Sequence, residues 1–269
     1  MIRTAAIMAR GLGTRMRRDD ASAKLSACQD AVADMGMKGM IPIKRPFLEY
    51  VISALADAGI ADVVLVLGPE HHAVRQHFII DAPPTRVRIQ FAEQAQPIGT
   101  ANAVVAAADA IGDQSFLVLN ADNYYPVEAY RSLAADDSAG TIAFDREALV
   151  SLGNIDPERV RSFAVLDVTA EGTLAGILEK PGDSLDLRAE SSRWVGMNCW
   201  SVTSEIVSAC RRVPLSGRGE FELPEAVGLA LREGVCVRAI KMAAAVLDLS
   251  RRSDIAAVTA HLESIEPVP

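Results

Sequence analysis

Residues 5–18 read AAIMARGLGTRMRR, an apolar run that turns abruptly into two glycines, a threonine and a cluster of arginines. The apolar half, extended back to Ile2, predicts a buried strand over residues 2–8, and Gly11 and Gly13 allow a tight turn where a side chain would clash. A GxG turn after a strand is weak by itself. This one lacks the third glycine of a dinucleotide fingerprint and the lysine and hydroxyl of a P-loop. What it keeps is a row of backbone N–H groups able to cradle phosphate, with the Thr14 hydroxyl and the Arg15 guanidinium beside them.

Downstream, Leu25, Cys28, Val32 and Met35 recur at helical spacing and predict an amphipathic helix over 21–35, stopped by Gly36. Pro46 predicts the first position of a second helix, which ends at Gly59. The runs ADVVLVLG (61–68), VRIQFAEQ (87–94) and SFLVLNAD (115–122) predict strands, with Thr100 capping a helix through Ala108 between the last two. This alternation implies an α/β fold with a doubly wound, predominantly parallel but mixed, Rossmann-like sheet. Ligands gather at the carboxyl ends of strands in such sheets. The glycine loop and Asp122 are therefore expected on one edge, although more than a hundred residues separate them.

The second half has a different texture. SFAVLDVTAEGTLAGILEKP (162–181) predicts a hairpin about TAEGT, and WVGMNCWSV (194–202) a third strand. Helices are expected over 204–211 and 224–233, further strands at VCVRAIKM (235–242) and AAVLDLS (244–250), and a last helix capped by Ser253. No linker rich in Pro, Gly or Ser divides the halves and no repeat is present. One domain over 1–269 with an added β-lobe is the expected organisation.

Composition narrows the function. With 269 residues and 50% hydrophobic content the chain can bury a full core. A net charge of -8 and a pI near 5.1 argue against binding a nucleic-acid polymer through a broad basic face. Locally the balance inverts. Residues 10–45 carry eight basic side chains (Arg10, Arg15, Arg17, Arg18, Lys24, Lys38, Lys44, Arg45) against four acidic ones (Asp19, Asp20, Asp30, Asp34), a local charge of +4 suited to an anion site. No apolar run reaches the length of a membrane span or a signal-peptide core, so the expectation is a cytoplasmic protein without membrane partners. Cys28, Cys199, Cys210 and Cys236 are scattered singly and read as buried thiols in a reducing compartment.

Two isolated aspartates end apolar runs, Asp122 after FLVLN and Asp248 in AAVLDL. Carboxylates at strand ends, in a site that also holds phosphate, point to a shared Mg2+. By spacing alone Asp122 is equally a helix cap for the segment starting at Pro126. The four histidines, His71, His72, His77 and His261, read as surface or partly buried residues rather than ligands.

In order along the chain stand GLGTRM (11–16), KGMIPI (38–43), RPFLEYVISALADAGIADVVLV (45–66), EQAQPIGTANAV (93–104), FLVLNADN (116–123), ILEKPG (177–182), GEFELPEAV (219–227) and LDLSRRSDI (247–255). With these motifs the sequence resembles the sugar-phosphate nucleotidyltransferases, the group containing glucose-1-phosphate thymidylyl- and uridylyltransferases. The resemblance implies a GT-A-like nucleotidyltransferase fold, with a nucleotide-binding half over 1–130 and a sugar-phosphate-binding half over 131–269. The reaction it implies is Mg2+-dependent, in-line formation of an NDP-sugar and pyrophosphate from an NTP and a sugar 1-phosphate, UTP or dTTP and glucose 1-phosphate being favoured.

Carried over by position, the resemblance places Ala9, Arg10, Gly11, Gly13, Thr14, Arg15, Gln94, Gly99 and Thr100 around the nucleotide. Ala164, Glu179, Lys180 and Asn198 would surround the sugar phosphate. Arg15, Lys38, Asp122, Lys180 and Asp248 would form the reacting centre, and Asp122 and Asp248 would hold Mg2+. A homo-oligomer is left open. The β-helix that some members carry after this domain is not expected.

Several departures fall around the base and sugar pockets. Arg10 stands where members usually have a small residue, Ala164 stands for a glycine, and Cys199 and Trp200 stand near a usual glycine-tyrosine pair. The segment from Arg15 to Lys38 is longer than in the thymidylyltransferases. Arg10 either reaches the nucleotide or leaves the pocket to pair with a carboxylate, for which the helix over 21–35 offers candidates. Three alternatives remain: a GT-A-type glycosyltransferase, a molybdopterin or methylerythritol nucleotidyltransferase, and a catalytically degenerate regulatory homologue that binds NDP-sugars.

Overall fold

Strands form where apolar runs are buried on both faces, and helices fill the intervals. In the computed structural model, which describes residues 1–186 and 189–269, the first elements are β1 (Thr4–Met8), α1 (Ala27–Asp34), α2 (Phe47–Asp57), β2 (Asp62–Leu67), α3 (His72–Gln76), β3 (Arg88–Glu93) and α4 (Thr100–Ile111). Next come β4 (Phe116–Asn120), β5 (Asn123–Tyr124), α5 (Val127–Ala134), β6 (Gly140–Asp145), α6 (Arg146–Leu152), β7 (Ala164–Val168) and β8 (Leu174–Leu178). The last are β9 (Trp194–Val202), α7 (Ser204–Arg212), α8 (Leu223–Arg232), β10 (Arg238–Met242), β11 (Leu247–Asp248) and α9 (Asp254–Leu262).

One sheet runs β10, β6, β9, β4, β1, β2, β3, with β7 on β9 and β8 on β7. β1 pairs in parallel with β2 and with β4, and β2 with β3, while β9 runs antiparallel between β4 and β6. The chain thus winds outward from β1 to β3 and then crosses to the other side of β1. Connections leave in opposite directions at that reversal and open a crevice at the carboxyl ends of the strands. Met8 and Asn120 are register partners, so the glycine loop and Asp122 emerge side by side.

Alternate strand residues feed two cores. Ala5, Ile7, Val63 and Leu65 pack with α2, α5 and α9, whereas Ala6, Val64, Val66 and Val118 pack with α4, α7 and α8. Burial on both faces is what makes these strands continuous apolar runs.

Local chemistry moves several boundaries. The helix expected over 21–35 shrinks to Ala27–Asp34, because Ser26 and Gln29 form a reciprocal capping box that starts it late. Pro46 is the N-cap of α2 rather than its first residue. Thr100 does not cap α4. Gly99 holds that position, and the Thr100 hydroxyl accepts the Leu223 N–H at 2.8 Å, joining α4 to α8. Ser253 occupies the N-cap of α9 without a side-chain bond, while the Asp254 carboxylate accepts the Ser250 and Arg251 N–H groups. β6 and α6 were not anticipated from the sequence, and the strand expected over 244–250 is reduced to Leu247–Asp248. Of the four thiols expected to be buried, Cys199 and Cys210 are, whereas Cys28 and Cys236 are exposed.

Gly13 has φ +61°, and a Cβ there would run into the backbone of Gly36, itself at φ +72°. The contact presses the glycine loop onto the turn after α1. Neither backbone segment can yield as a flexible side chain would. Gly13→Ala is therefore expected to lower stability by about 1–3 kcal/mol, read as a fall in the urea midpoint, and an unchanged midpoint would refute the packing argument.

Candidate active site

A cavity of about 490 Å³ opens at the carboxyl ends of β1 and β4. Its lining includes Ala9, Arg10, Gly11, Thr14, Arg15, Lys38, Gln94, Gly99, Thr100, Asp122, Ala164, Glu179, Lys180, Asn198 and Asp248. Gly13 is the exception among the candidates. It turns away to meet Gly36, and its contribution is to the shape of the loop.

The two carboxylates meet through a second, two-stranded sheet. β5 pairs antiparallel with β11, setting Asn123 opposite Asp248 and Tyr124 opposite Leu247. The Leu249 N–H donates to the Asp122 carbonyl at 2.8 Å, which fastens the two segments again at the aspartates themselves. Asn154 brackets Asp248, donating to its carbonyl and accepting from its N–H, both at 2.8 Å. Asn123 donates to Asp248 Oδ2 at 3.3 Å.

Each carboxylate has its own cation. Lys38 Nζ donates to Asp122 Oδ2 at 2.7 Å. Asp122 is not a helix cap, because α5 begins behind Pro126 with no side-chain cap. Arg159 forks between Asp248 Oδ1 and Asp254 Oδ1. Asp248 is buried, at 3% exposure, and burial pushes its carboxyl above the usual range, with the Asp122 charge adding to the shift and Arg159 opposing it.

Also in the cavity lining, Lys180 (φ 44°) and Asn198 (φ 55°) are the two non-glycine residues at positive φ among the described residues. A left-handed backbone costs a side-chain-bearing residue on the order of 1–3 kcal/mol, and both of these face the cavity. Lys180 lies 3.3 Å from Glu179. Burial raises the Glu179 carboxyl against the pull of that lysine. Arg218 approaches Glu179 at 3.5 Å and pairs with Glu222. Arg15, also in the lining, is exposed and has no hydrogen-bond partner among the described residues.

At the end of β3 the Gln94 side chain is buried, its Nε2 donating to the Gly99 carbonyl at 2.9 Å and to Asn102 Oδ1 at 3.0 Å. Arg10 donates from Nε to the Gln94 carbonyl at 3.0 Å and from a terminal nitrogen to Glu70. Its carboxylate therefore comes from the connection after β2, not from the helix expected over 21–35. The carboxylates of α1, Asp30 and Asp34, pair instead with Arg252.

Sequence reasoning missed Arg159, Asn154, Glu70 and the role of Asn123. Each is a polar residue in a polar stretch and reads as solvated. His71, expected at the surface or partly buried, lines the cavity and accepts the Gly68 N–H on Nδ1 at 3.1 Å. Burial lowers its pKa.

Arg159→Met would leave Asp248 and Asp254 buried without their cation, so stability near neutral pH should fall by about 3–5 kcal/mol. The carboxyl of Asp248 is already raised in the folded protein. Its protonated form is therefore the one folding favours, and the deficit should narrow as pH falls through that raised value. Urea titrations of both proteins across pH check this, and a deficit independent of pH would contradict it.

The nucleotidyl transferase family profile matches residues 34–259. The glycine loop lies before that span, set apart by the α1 segment. A low-salt glycan biosynthesis nucleotidyltransferase of Haloferax volcanii is 26% identical over 210 residues, which is 77% of this chain but only 54% of that protein, so the chain spans about half the length of that relative. A UTP–glucose-1-phosphate uridylyltransferase of the same organism is 26% identical over 252 residues, 93% of this chain and 92% of its own. Among solved structures, a UTP-bound UGPase from Acinetobacter baumannii superposes with a TM-score of 0.75 at 20% identity, covering 99% of this chain and 96% of that one. That likeness is one of fold. Because the family profile extends from the end of α1 into α9, most of the chain, the protein belongs to the nucleotidyl transferase family.

Proposed function

We propose that the cavity joins an NTP to a sugar 1-phosphate, releasing pyrophosphate and forming an NDP-sugar, with UTP or dTTP as nucleotide, glucose 1-phosphate as sugar and Mg2+ as metal. The observation that carries this reading is the gathering of Arg15, Lys38 and Lys180 with Asp122 and Asp248 around one cavity. A sugar phosphate is already an anionic nucleophile near neutral pH, and pyrophosphate is a good leaving group. A bond forms from the sugar-phosphate oxygen to the α-phosphorus as the bond from that phosphorus to the bridging oxygen breaks. What remains for the protein is to hold two anions in line and offset their repulsion.

In this reading the loop at Gly11, Thr14 and Arg15 receives the triphosphate, with Gly13 shaping it from behind. Lys38 neutralises the reacting phosphate, and Lys180 holds the sugar phosphate. Gln94, Gly99 and Thr100 border the base, and Ala164, Glu179 and Asn198 the sugar. The donor set also suits the metal. No group of three or more His, Cys, Asp or Glu side chains is placed to hold an ion among the described residues, and Mg2+ is commonly bound by one or two carboxylates, several waters and substrate phosphates rather than by a protein cage. Held by Asp122 and Asp248, the ion would supply positive charge to the phosphates. UTP draws support from the uridylyltransferase relative and the UTP-bound structural neighbour. Among the described residues no helix is long and apolar enough to cross a membrane.

The test is pyrophosphate release across the common NTPs and a panel of sugar 1-phosphates with Mg2+, with the highest kcat/KM expected for UTP or dTTP with glucose 1-phosphate. Asp122→Asn and Asp248→Asn should each lower turnover by orders of magnitude. Arg15→Ala should raise KM for the NTP, and Lys180→Ala KM for the sugar phosphate, each by the equivalent of about 1.5–3 kcal/mol. Absence of pyrophosphate across the whole panel, despite tight NDP-sugar binding, would overturn the reading in favour of a regulatory binder.

A further inference from the structure

Arg10 and Gln94 lie together on one wall of the cavity, and their hydrogen-bonding capacities differ in kind. The Gly99 carbonyl can only accept, so the amide nitrogen of Gln94 must face it, and the second N–H goes to Asn102. Both donors are spent inside the protein. Oε1 has no partner among the described residues and is left as an acceptor.

Arg10 is the opposite case, because a guanidinium carries five N–H donors and no acceptor. Two of its nitrogens bond to the Gln94 carbonyl and to Glu70, and its remaining N–H groups have no protein partner among the described residues. The side chain is held in place. It is 8% exposed and lies across Gly68, where an added Cβ would meet Nε and Cζ.

We propose that Arg10 is a specificity-determining residue which, with Gln94, selects nucleobases whose edge sets a ring N–H beside a carbonyl. Uracil, thymine and guanine carry that edge. Cytosine and adenine carry the reverse, an exocyclic amino donor beside a ring-nitrogen acceptor, so donor would meet donor at Arg10 and acceptor would meet acceptor at Gln94. A site built around such bonds rejects the mismatched partner strongly, because its own polar groups are left unpaired. The inference rests on the nucleotidyltransferase reading.

Equilibrium binding separates the two, since it needs no turnover. Isothermal titration compares UTP with CTP and GTP with ATP, pairs matched in ring size, together with inorganic tripolyphosphate. The unmodified protein should bind UTP at least about 100-fold tighter than CTP. Arg10→Met should shrink that ratio by about tenfold or more, while tripolyphosphate binding stays unchanged. Gly68→Ala should act in the same direction, because it displaces the guanidinium without removing its charge. It carries the test if Arg10→Met does not fold. Glu70→Gln should have a smaller effect, its side chain being 53% exposed. An unchanged UTP-to-CTP ratio in a folded Arg10→Met protein overturns the proposal, as does an equal loss of tripolyphosphate binding, which would make Arg10 a phosphate ligand. If no NTP binds the unmodified protein, the nucleotidyltransferase reading itself fails.

Discussion

Two residues of β5 paired with two of β11 form the contact on which the site depends. A ladder that short has no stability of its own. It persists because the backbone of Asp248 is bracketed by Asn154, its side chain is held by Asn123 and Arg159, and the Leu249 N–H reaches back to Asp122. The result is two carboxylates near one another in the cavity lining, which is unfavourable unless each is compensated. Lys38 and Arg159 supply that compensation from opposite sides, one from the turn before α2 and the other from the turn before β7. The carboxylate pair therefore depends on cations contributed from both halves of the sequence.

Around this pair the acidic chain gathers a local cluster of cations. Arg10, Arg15, Lys38 and Lys180 line the cavity although the protein carries a net charge of -8. Only Arg15 among them lacks a hydrogen-bonding or ion-pair partner among the described residues, so the other three hold positions already fixed by the protein. Cations preorganised in this way would need little rearrangement to receive an anion. The segment from 16 to 37 supports the glycine loop from behind. Arg252 joins the carboxylates of α1 to the Met16 carbonyl, Arg17 donates to the Met35 carbonyl at 2.8 Å, and Gly13 abuts Gly36. This segment is thus a buttress for the loop.

Much of the architecture was readable in the residues. Strands buried on both faces must be apolar whatever their neighbours, so β1, β2 and β4 announced themselves, and their alternation with helical spacing implied the winding that puts Met8 beside Asn120. β6 was not readable. Its TIAFD core is short, flanked by DDSAG, and becomes a strand because β9 and β10 lie on either side of it. The helix over 21–35 was overextended because apolar spacing does not mark where a helix starts, whereas the Ser26 and Gln29 side chains do.

The sequence by itself determined which residues could carry the chemistry: a loop with room for phosphate, cations of fixed charge, and two aspartates at the ends of apolar runs. These follow from side-chain type and local period, properties that each segment possesses alone. Only the tertiary structure decided the partners. That Asp122 takes Lys38, that Arg159 leaves a polar stretch to reach Asp248, and that Arg10 turns to Glu70 and the Gln94 carbonyl rather than to α1 depend on distances across the sheet. An ionised side chain takes whichever opposite charge the packed backbone brings within a few ångströms, and separation along the chain carries no record of that distance.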